Sequence, residues 1–375
     1  MKVLVTGAAG FVGKNLCVEL RQRKDVELIT YDLGVAADVL KRGLAEADVV
    51  LHLAGVNRPE KVEEFETGNV GFLAEVLAGL TASGKKAKVV LTSSIQAERD
   101  NPYGKSKLGA EAELRRHCEA TGAEAIVHRL KNLFGKWCRP NYNSVTATFC
   151  HNIANDLPIQ ISDPAAVVDL TYVDDVVAAL LAELDAPRAP GFRFAPPLKS
   201  HSISLGELAE TLRRFRAHRS TLLLPDYGAE FTRALYATYL SYLKPESYGY
   251  GLDIKSDARG SLAEFIKSPH FGQIFVSRTK PGITRGNHFH HTKTEKFMVV
   301  QGEGTIRLRQ IHGDQVVEFR CRAEEYRVVD IPPGYTHSIE NVGAGEMVTL
   351  FWSSEQFDPA KPDTIFDPVL RPQGA

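Results

Sequence analysis

A tyrosine and a lysine four residues apart carry the most specific chemistry in this sequence. The peptide Tyr103-Gly-Lys-Ser-Lys107 opens a predicted helix, so the two side chains project from the same face. An ammonium beside a phenol lowers the pKa of the phenol, and such a tyrosine can donate a proton to a carbonyl oxygen as hydride reaches the carbon. Ser94 ends the preceding predicted strand, where it can hydrogen-bond the same oxygen. The three residues predict catalysis of carbonyl reduction, against the alternative of a surface tyrosine beside a solvated lysine.

A second group of residues has the chemistry of a metal site. His288 and His290 alternate on a predicted strand, so both imidazoles face one side, and Glu295 and His337 can join them from neighbouring strands. Three imidazoles and one carboxylate suit zinc, or alternatively iron, nickel or manganese. The alternative is a set of ordinary core histidines in a barrel that holds no metal.

A glycine-rich turn near the start of the chain predicts a dinucleotide site. It lies between the first predicted strand and a helix. Gly7 and Gly10 let the backbone turn tightly and approach a pyrophosphate, Gly13 allows close contact of helix and sheet, and the helix N-terminus supplies amide donors. The residues of this turn that we expect to bind the cofactor are Gly7, Gly10, Phe11, Val12 and Gly13.

Asp32 bears on the choice between NAD(H) and NADP(H). It ends the second predicted strand, about 20 residues after the glycines, where a carboxylate accepts hydrogen bonds from the ribose 2′-hydroxyl and repels a 2′-phosphate. This favours NAD(H), against the alternative of a loop aspartate that faces solvent. Lys14, Arg21 and Arg23 lie nearby and can accept a phosphate, so both cofactors stay open.

The chain has two patterns of predicted secondary structure, and the elements they predict must position these residues. Short β-branched runs alternate with helical patterns in the first part of the chain, which predicts βαβ units and a parallel α/β Rossmann sheet. The later part has short strands separated by glycine and proline, which predicts an antiparallel all-β jelly roll. The breaker-rich segment 243–251 divides them, so we expect domains at residues 1–243 and 244–375. A length of 375 residues also favours two domains.

Composition narrows the class of protein. A hydrophobic fraction of 43% with 24% charged residues is typical of a globular chain. The 45 basic and 46 acidic residues leave no excess of either sign, which argues against nucleic-acid and membrane-surface partners. The five cysteines are scattered, no signal peptide precedes the first strand, and no apolar run reaches the roughly 18 residues that span a bilayer. We therefore expect a cytoplasmic protein.

Residues 1–240 also resemble the extended short-chain dehydrogenase/reductase family, whose members act on nucleotide sugars. The motifs that carry the resemblance are the glycine turn, Ser94, Tyr103 to Lys107, His52-Leu-Ala-Gly55, Asn69, Asn132-Leu-Phe-Gly135 and Tyr172-Val-Asp-Asp175. The chain departs from the family in the short spacing between Ser94 and Tyr103, which trims the loop that normally walls the sugar site.

This resemblance implies roles for further residues. Asn132 is expected near the diphosphate or sugar of the substrate, and Asp175 is expected to shape the interface that closes over it. The residues that the resemblance adds to the cofactor site are Leu53, Ala54, Gly55 and Asn69.

The later part of the chain resembles the cupin superfamily in two motifs, at residues 282–302 and 332–341. Tyr326 stands where a glycine usually opens the second motif. The resemblance implies a jelly roll whose metal ligands are the three histidines and the glutamate named above, although cupin-fold sugar epimerases work without metal. We interpret His291 and His312 as surface residues.

Over nearly its full length the chain resembles the bifunctional enzymes of capsular-polysaccharide synthesis, through peptides such as His52-Leu-Ala-Gly-Val-Asn-Arg-Pro59 and Glu295-Lys-Phe-Met-Val-Val300. The resemblance implies that the cupin epimerises C3 of a UDP-2-acetamido-2,6-dideoxy-hexos-4-ulose and that the reductase then reduces C4. The product is UDP-2-acetamido-2,6-dideoxy-L-talose, toward N-acetyl-L-fucosamine for capsule or O-antigen. NADP(H) and a homodimer are also implied, and Lys296 and Tyr335 are candidates for moving the C3 proton.

Two other functions compete with this interpretation. One is an NAD-retaining epimerase or dehydratase with a sugar-binding cupin, but a dehydratase is expected to carry an acidic pair just before the tyrosine, and residues 95–102 offer only the separated Glu98 and Asp100. The other is a cofactor-sensing module without catalysis, which has no need to retain the proton donor Tyr103.

Overall fold

The computed structural model describes residues 1–371, which divide into two compact units. The N-terminal unit comprises residues 1–213 and 233–244, and the C-terminal unit comprises residues 214–232 with the described residues from 245 onward. The first carries a parallel sheet of the Rossmann type and the second carries antiparallel β-sheets. The predicted fold class is confirmed.

The N-terminal unit alternates strands with helices. Its strands are β1 (Lys2–Thr6), β2 (Glu27–Tyr31), β3 (Val49–His52), β4 (Lys88–Ser94), β5 (Glu124–Leu130), β6 (Asn132–Phe134), β7 (Val167–Tyr172), β8 (Gly191–Phe194) and β9 (His201–Ser204). The helices are α1 (Phe11–Gln22), α2 (Ala37–Glu46), α3 (Glu63–Phe65), α4 (Phe72–Ser83), α5 (Pro102–Thr121), α6 (Val145–Ala154), α7 (Val173–Asp185), α8 (Leu205–Thr221) and α9 (Glu230–Leu240). The end of α8 from residue 214 and the first three residues of α9 belong to the C-terminal unit. No helix in residues 1–371 combines the length and apolar character that a membrane span needs.

The main sheet pairs in parallel in the order β2-β1-β3-β4-β5-β8, while β6, β7 and β9 form a small second sheet. The strands of the main sheet are apolar on both sides because helices cover both of its faces. Leu4 packs with residues of α2, α4 and α5, whereas Val3 and Val5 pack with residues of α1 and α7. Parallel pairing brings the carboxyl ends of the strands to one edge, where ligands of such sheets bind. The glycine turn follows β1 there, and Ser94 ends β4.

Helix α5 holds the tyrosine and the lysine. Asn101 caps it, since its side-chain oxygen accepts a hydrogen bond of 2.8 Å from the Gly104 amide, and Pro102 occupies the first turn. Gly122 ends the helix in the left-handed conformation, with φ of +68°. Tyr103 is thereby fixed in the first turn, and Lys107 lies one turn later.

The C-terminal unit is built from antiparallel strands. They are β10 (Ile254–Asp257), β11 (Gly260–Ser268), β12 (Gly272–Thr279), β13 (Thr284–Phe289), β14 (Glu295–Gln301), β15 (Glu303–Gln310), β16 (Val316–Arg322), β17 (Val328–Ile331), β18 (Tyr335–Asn341), β19 (Met347–Ser353) and β20 (Ile365–Phe366). One sheet has the order β10-β11-β12-β19-β14-β17 and the other β16-β15-β18-β13-β20. Their core includes Phe297 and Phe351, whose ring centroids are 4.5 Å apart. Because His288 pairs with His337 across β13 and β18, strand register alone brings these imidazoles together.

Candidate active site and metal centre

The glycine turn is shaped by close backbone contacts. Gly7 has φ of +71°, and a Cβ there would lie 2.6 Å from the Ala54 nitrogen. A Cβ on Gly13 would lie 2.1 Å from the carbonyl oxygen of Gly7. Only glycine fits either position, so the turn stays tight. The first residues of α1 line the cavity beside it.

A cavity of about 930 Å³ brings most of the predicted residues together. The predicted residues that line it are Gly7, Gly10, Phe11, Val12, Gly13, Leu53, Gly55, Ser94, Tyr103, Lys107 and Asn132. Ala54 and Asn69 lie behind its wall: Ala54 backs the glycine turn, and Asn69 is 2% exposed. The Asn69 side chain accepts a hydrogen bond from the Val56 amide and donates to the Val56 carbonyl, at 2.8 and 3.0 Å. Asn69 therefore supports the loop that contains Gly55.

Burial dominates the electrostatics of Tyr103. It raises the pKa of the phenol, and a hydrogen bond with Ser94 opposes this rise. The Lys107 ammonium lies 5.9 Å from the centroid of the tyrosine ring and donates a 3.4 Å hydrogen bond to the Thr92 carbonyl. We expected the lysine to lower the pKa of the phenol, but in this structure the largest influence on the phenol is desolvation. Tyr103 is therefore protonated at neutral pH, as a proton donor must be.

Lys107 is held by a partner that we did not predict. Burial lowers its pKa to about 8, and Glu111, one helical turn later, acts in the opposite direction. The Glu111 carboxylate is 3% exposed and accepts hydrogen bonds from Arg129 Nε and Nη2 at 2.9 and 2.6 Å, and from Ser93 Oγ at 2.5 Å. The spacing of four residues after Lys107 was a signal for this electrostatic interaction.

The shortened loop before α5 wraps over the start of that helix. Residues Ile95–Glu98 form a 3₁₀ turn, and Gln96 and Arg99 line the cavity. A Cβ on Gly104 would lie 2.2 Å from the Gln96 carbonyl oxygen, so the loop packs directly on the helix. Asn132 lines the same cavity at the start of β6, whereas Asp175, in the first turn of α7, is not among its lining residues.

Asp32 lines a second cavity of about 900 Å³, and its carboxylate is already bound. One oxygen accepts a hydrogen bond of 2.6 Å from the Ala9 amide and the other accepts one of 2.8 Å from the Leu33 amide. The basic residues that line this cavity are Lys14, Arg21 and Arg139. Arg139 comes from the segment after β6, so sequence proximity to the glycine turn gave no sign of it.

Arg23, the third basic residue considered for a phosphate, is committed elsewhere. Its guanidinium lies 2.6 Å from Asp25 and 2.7 Å from Asp185. It is not among the residues that line the Asp32 cavity.

The predicted metal ligands meet in the C-terminal unit. One ligand atom from each of His288, His290, Glu295 and His337 lies within 4.8 Å of all the others. Glu295 Oε2 is 3.3 Å from His290 Nε2 and 3.2 Å from His337 Nε2.

The hydrogen bonds around this cluster leave its donor atoms free. His290 Nδ1 is bound to the Asp363 carbonyl and His337 Nδ1 to the Tyr335 carbonyl. Within residues 1–371, both Nε2 atoms are buried without a hydrogen-bond partner. Buried imidazoles fixed through Nδ1, with unpartnered Nε2 atoms beside a carboxylate, are a donor set that fits a divalent cation.

The charge states of Glu295 and His288 suit ligation as well. Burial by itself raises the pKa of Glu295, but the neighbouring His290 and His337 imidazoles outweigh it and bring the pKa to about 2. Burial lowers the pKa of His288 to about 4. At neutral pH the cluster thus offers a carboxylate and a neutral imidazole, the forms that bind metal.

Four other residues singled out in this part of the chain lie on the surface. His291 and His312 are exposed, as predicted. Lys296 points away from the cluster and pairs with Asp330 on the surface, so it was a wrong candidate for proton transfer. Tyr326, at the position where a glycine was expected, does adopt the left-handed conformation, with φ of +46°.

The chain matches two known families. Residues 3–193 match the NAD dependent epimerase/dehydratase family, and residues 255–365 match the polysaccharide biosynthesis C-terminal domain. The chain belongs to the NAD dependent epimerase/dehydratase family.

Individual relatives cover nearly the whole chain. It is 43% identical over 366 residues to UDP-2-acetamido-2,6-beta-L-arabino-hexul-4-ose reductase of Pseudomonas aeruginosa. The matched region covers 97% of this chain and 98% of the relative. The structure of the capsular polysaccharide assembling protein CapF from Staphylococcus aureus matches with a TM-score of 0.91 at 46% identity, over 98% of this chain and 100% of that one. A structure of CapF with the inhibitor 3-isopropenyl-tropolone matches with a TM-score of 0.87 at 41% identity, with the same coverage.

The ionisation of Lys107 predicts a pH profile. In a protein that uses Lys107 to assist reduction, kcat/KM falls above about pH 8, where the buried amine loses its proton. In Glu111→Gln the negative charge that favours the ammonium is gone, so the decline begins at lower pH. Measuring kcat/KM from pH 6 to 10 tests this, with Lys105→Gln, an exposed lysine on the same helix, as the control. An unchanged profile in Glu111→Gln contradicts the assignment.

Proposed function

We propose that this protein is a bifunctional nucleotide-sugar enzyme that epimerises C3 of a UDP-2-acetamido-2,6-dideoxy-hexos-4-ulose and then reduces C4 with NADPH. The observation that carries the proposal is the single cavity whose wall holds the glycine turn, Ser94, Tyr103 and Lys107. The Pseudomonas aeruginosa relative, a reductase named for a UDP-linked keto-sugar, supports the substrate because the similarity spans nearly both chains.

In the reductase domain, proposed at residues 1–243, each residue has a defined task. A bound nicotinamide cofactor supplies the hydride. The α1 amides and the glycine turn bind its pyrophosphate, while Asn132, which lines the same cavity, contacts the substrate. Tyr103 gives its phenolic proton to the C4 oxygen as that oxygen gains charge, and Ser94 holds the oxygen through its hydroxyl. Lys107, kept charged by Glu111, favours release of that proton.

In the second domain, proposed as a cupin at residues 244–375, the cluster of His288, His290, Glu295 and His337 would hold zinc or another divalent cation. The C3 proton is acidic because it neighbours the C4 ketone, and a bound cation would stabilise the negative charge that develops when this proton is removed. Tyr335 stays the candidate for moving that proton, since Lys296 faces away.

NADP(H) is the proposed cofactor. The Asp32 carboxylate is occupied by the Ala9 and Leu33 amides, so the repulsion it was expected to exert on a 2′-phosphate is reduced. Lys14, Arg21 and Arg139 give the same cavity a basic lining that suits this phosphate.

The proposal extends to the product and its setting. Reduction after epimerisation gives UDP-2-acetamido-2,6-dideoxy-L-talose, a precursor of N-acetyl-L-fucosamine for capsule or O-antigen, and the similarity to CapF supports a role in capsule synthesis. We also propose a cytoplasmic homodimer, on the basis of the sequence resemblance.

The dehydratase alternative loses support from the short loop. Arg129 binds Glu98 at 2.7 Å, and Lys105 pairs with Asp100 at 2.7 Å. Neither carboxylate is among the residues that line the cavity, so the loop offers no acid there for removal of water from the sugar.

Replacing Tyr103 with Phe tests the reductase. We expect kcat for NADPH oxidation with the UDP-linked 4-keto-sugar to fall by about 10²–10⁴-fold, because the proton donor is lost. The Kd for NADPH, measured by fluorescence titration, should stay within about twofold, since the ring still fills its place. Tyr248→Phe, at an exposed position, is the matched control. A Tyr103→Phe variant with normal turnover contradicts the proposed mechanism.

Arg139 tests the choice of cofactor. In Arg139→Ala the KM for NADPH should rise roughly tenfold or more, as expected for a lost charge-assisted hydrogen bond, while the KM for NADH stays unchanged. Arg23→Ala, which removes an arginine paired with Asp25 and Asp185, should leave both values unchanged. An equal effect of Arg139→Ala on both cofactors argues against recognition of the 2′-phosphate.

A further inference from the structure

The segment 363–369, called here the C-terminal strap, binds the loop that follows His290. The Asp363 carboxylate accepts hydrogen bonds from the amides of residues 291, 292 and 293 at 2.9, 3.1 and 3.2 Å. It also accepts a 3.3 Å hydrogen bond from Thr292 Oγ1. One side chain thus gathers consecutive amides of the loop that joins two metal-ligand positions, His290 and Glu295.

The same residue contacts a ligand directly through its backbone. The Asp363 carbonyl oxygen is the partner of His290 Nδ1. This bond fixes the proton on Nδ1 and turns Nε2 toward Glu295, 3.3 Å away. Asp363 adopts φ of +36°, a conformation that aspartate and asparagine tolerate better than most residues.

The strap is also anchored at points other than Asp363. Arg309, 1% exposed, donates hydrogen bonds to the Val369 and Pro368 carbonyls at 3.0 Å each and lies 2.8 Å from an Asp367 carboxylate oxygen. Val369 is fully buried, and Phe366 and Ile365 pair with His288 and Phe289 of β13. The buried Arg309 guanidinium and the pairing of β20 with β13 therefore hold Asp363 in place.

We propose that Asp363 is a positioning residue for the metal site: the C-terminal strap fixes the orientation and tautomer of His290 and the course of the 291–293 loop. The inference rests on the proposed function in one respect, because it requires that the cluster of His288, His290, Glu295 and His337 binds a divalent cation. It predicts that metal affinity depends on a residue that touches no metal and lies 68 positions after Glu295 (363 minus 295).

The test measures metal binding by the full chain rather than turnover. Co²⁺ is titrated into metal-free protein and followed by its visible absorption, and Zn²⁺ affinity is measured by competition with a chromophoric chelator. In Asp363→Ala, Zn²⁺ affinity should fall by about 10–100-fold, as expected for loss of a group that orients a ligand, and the Co²⁺ spectrum should change in shape. In Asp363→Asn, which keeps one acceptor oxygen and the same backbone preference, most of the affinity should return.

Asp358→Ala is the matched control, because this aspartate precedes the strap and its carboxylate accepts a hydrogen bond only from the nearby Ala360 amide among the contacts of the described chain. It should bind Zn²⁺ like the wild type. Thermal unfolding and NADPH binding verify that each variant is folded. Wild-type affinity in folded Asp363→Ala overturns the inference and leaves the proposed function intact. Failure of the wild type to bind any divalent cation overturns both.

Discussion

The burial of a charged amine beside a phenol is the interaction on which the N-terminal unit depends. Lys107 is 8% exposed, and an ammonium removed from water is costly unless other groups compensate. Here the compensation comes from Glu111 on the next turn, which Arg129 and Ser93 hold by hydrogen bonds. The strands that supply Ser93 and Arg129 are neighbours in the sheet, so the parallel sheet both builds the cavity and stabilises its charge.

The C-terminal unit also has a buried charged group, which different residues stabilise. Glu295 is a buried carboxylate, and the imidazoles around it take the place of the arginine that supports Glu111. Each of His290 and His337 is fixed through Nδ1 by a backbone carbonyl, which leaves the opposite nitrogen facing Glu295. In both units buried side chains of the candidate site are held by hydrogen bonds. Arg129 and Ser93 hold Glu111 in the first unit, and the Asp363 and Tyr335 carbonyls hold His290 and His337 in the second.

Local spacing explains why much of this was predictable. The glycine turn, Tyr103 with Lys107, and the alternation of His288 with His290 follow from helix and strand geometry within a few residues. The partners that orient them were not predictable, because Arg129 and Asp363 reach their contacts only through tertiary pairing. Alternation also explains why Lys296 was a wrong candidate for proton transfer. It follows buried Glu295 on β14, so its side chain must face outward. The two hydrogen bonds of Asp32 to backbone amides depend on the exact path of the glycine turn, which composition and spacing do not reveal.

The measurement that tests the central claim most directly is deuterium incorporation at C3 of the UDP-linked 4-keto-sugar in deuterated water without reduced cofactor. The account assigns C3 chemistry to the histidine cluster and C4 chemistry to Tyr103. It predicts incorporation by the wild type and by Tyr103→Phe, and none by a folded, NADPH-binding His337→Ala. Incorporation by His337→Ala at the wild-type rate, or its loss in Tyr103→Phe alone, would contradict the division of labour between the two units.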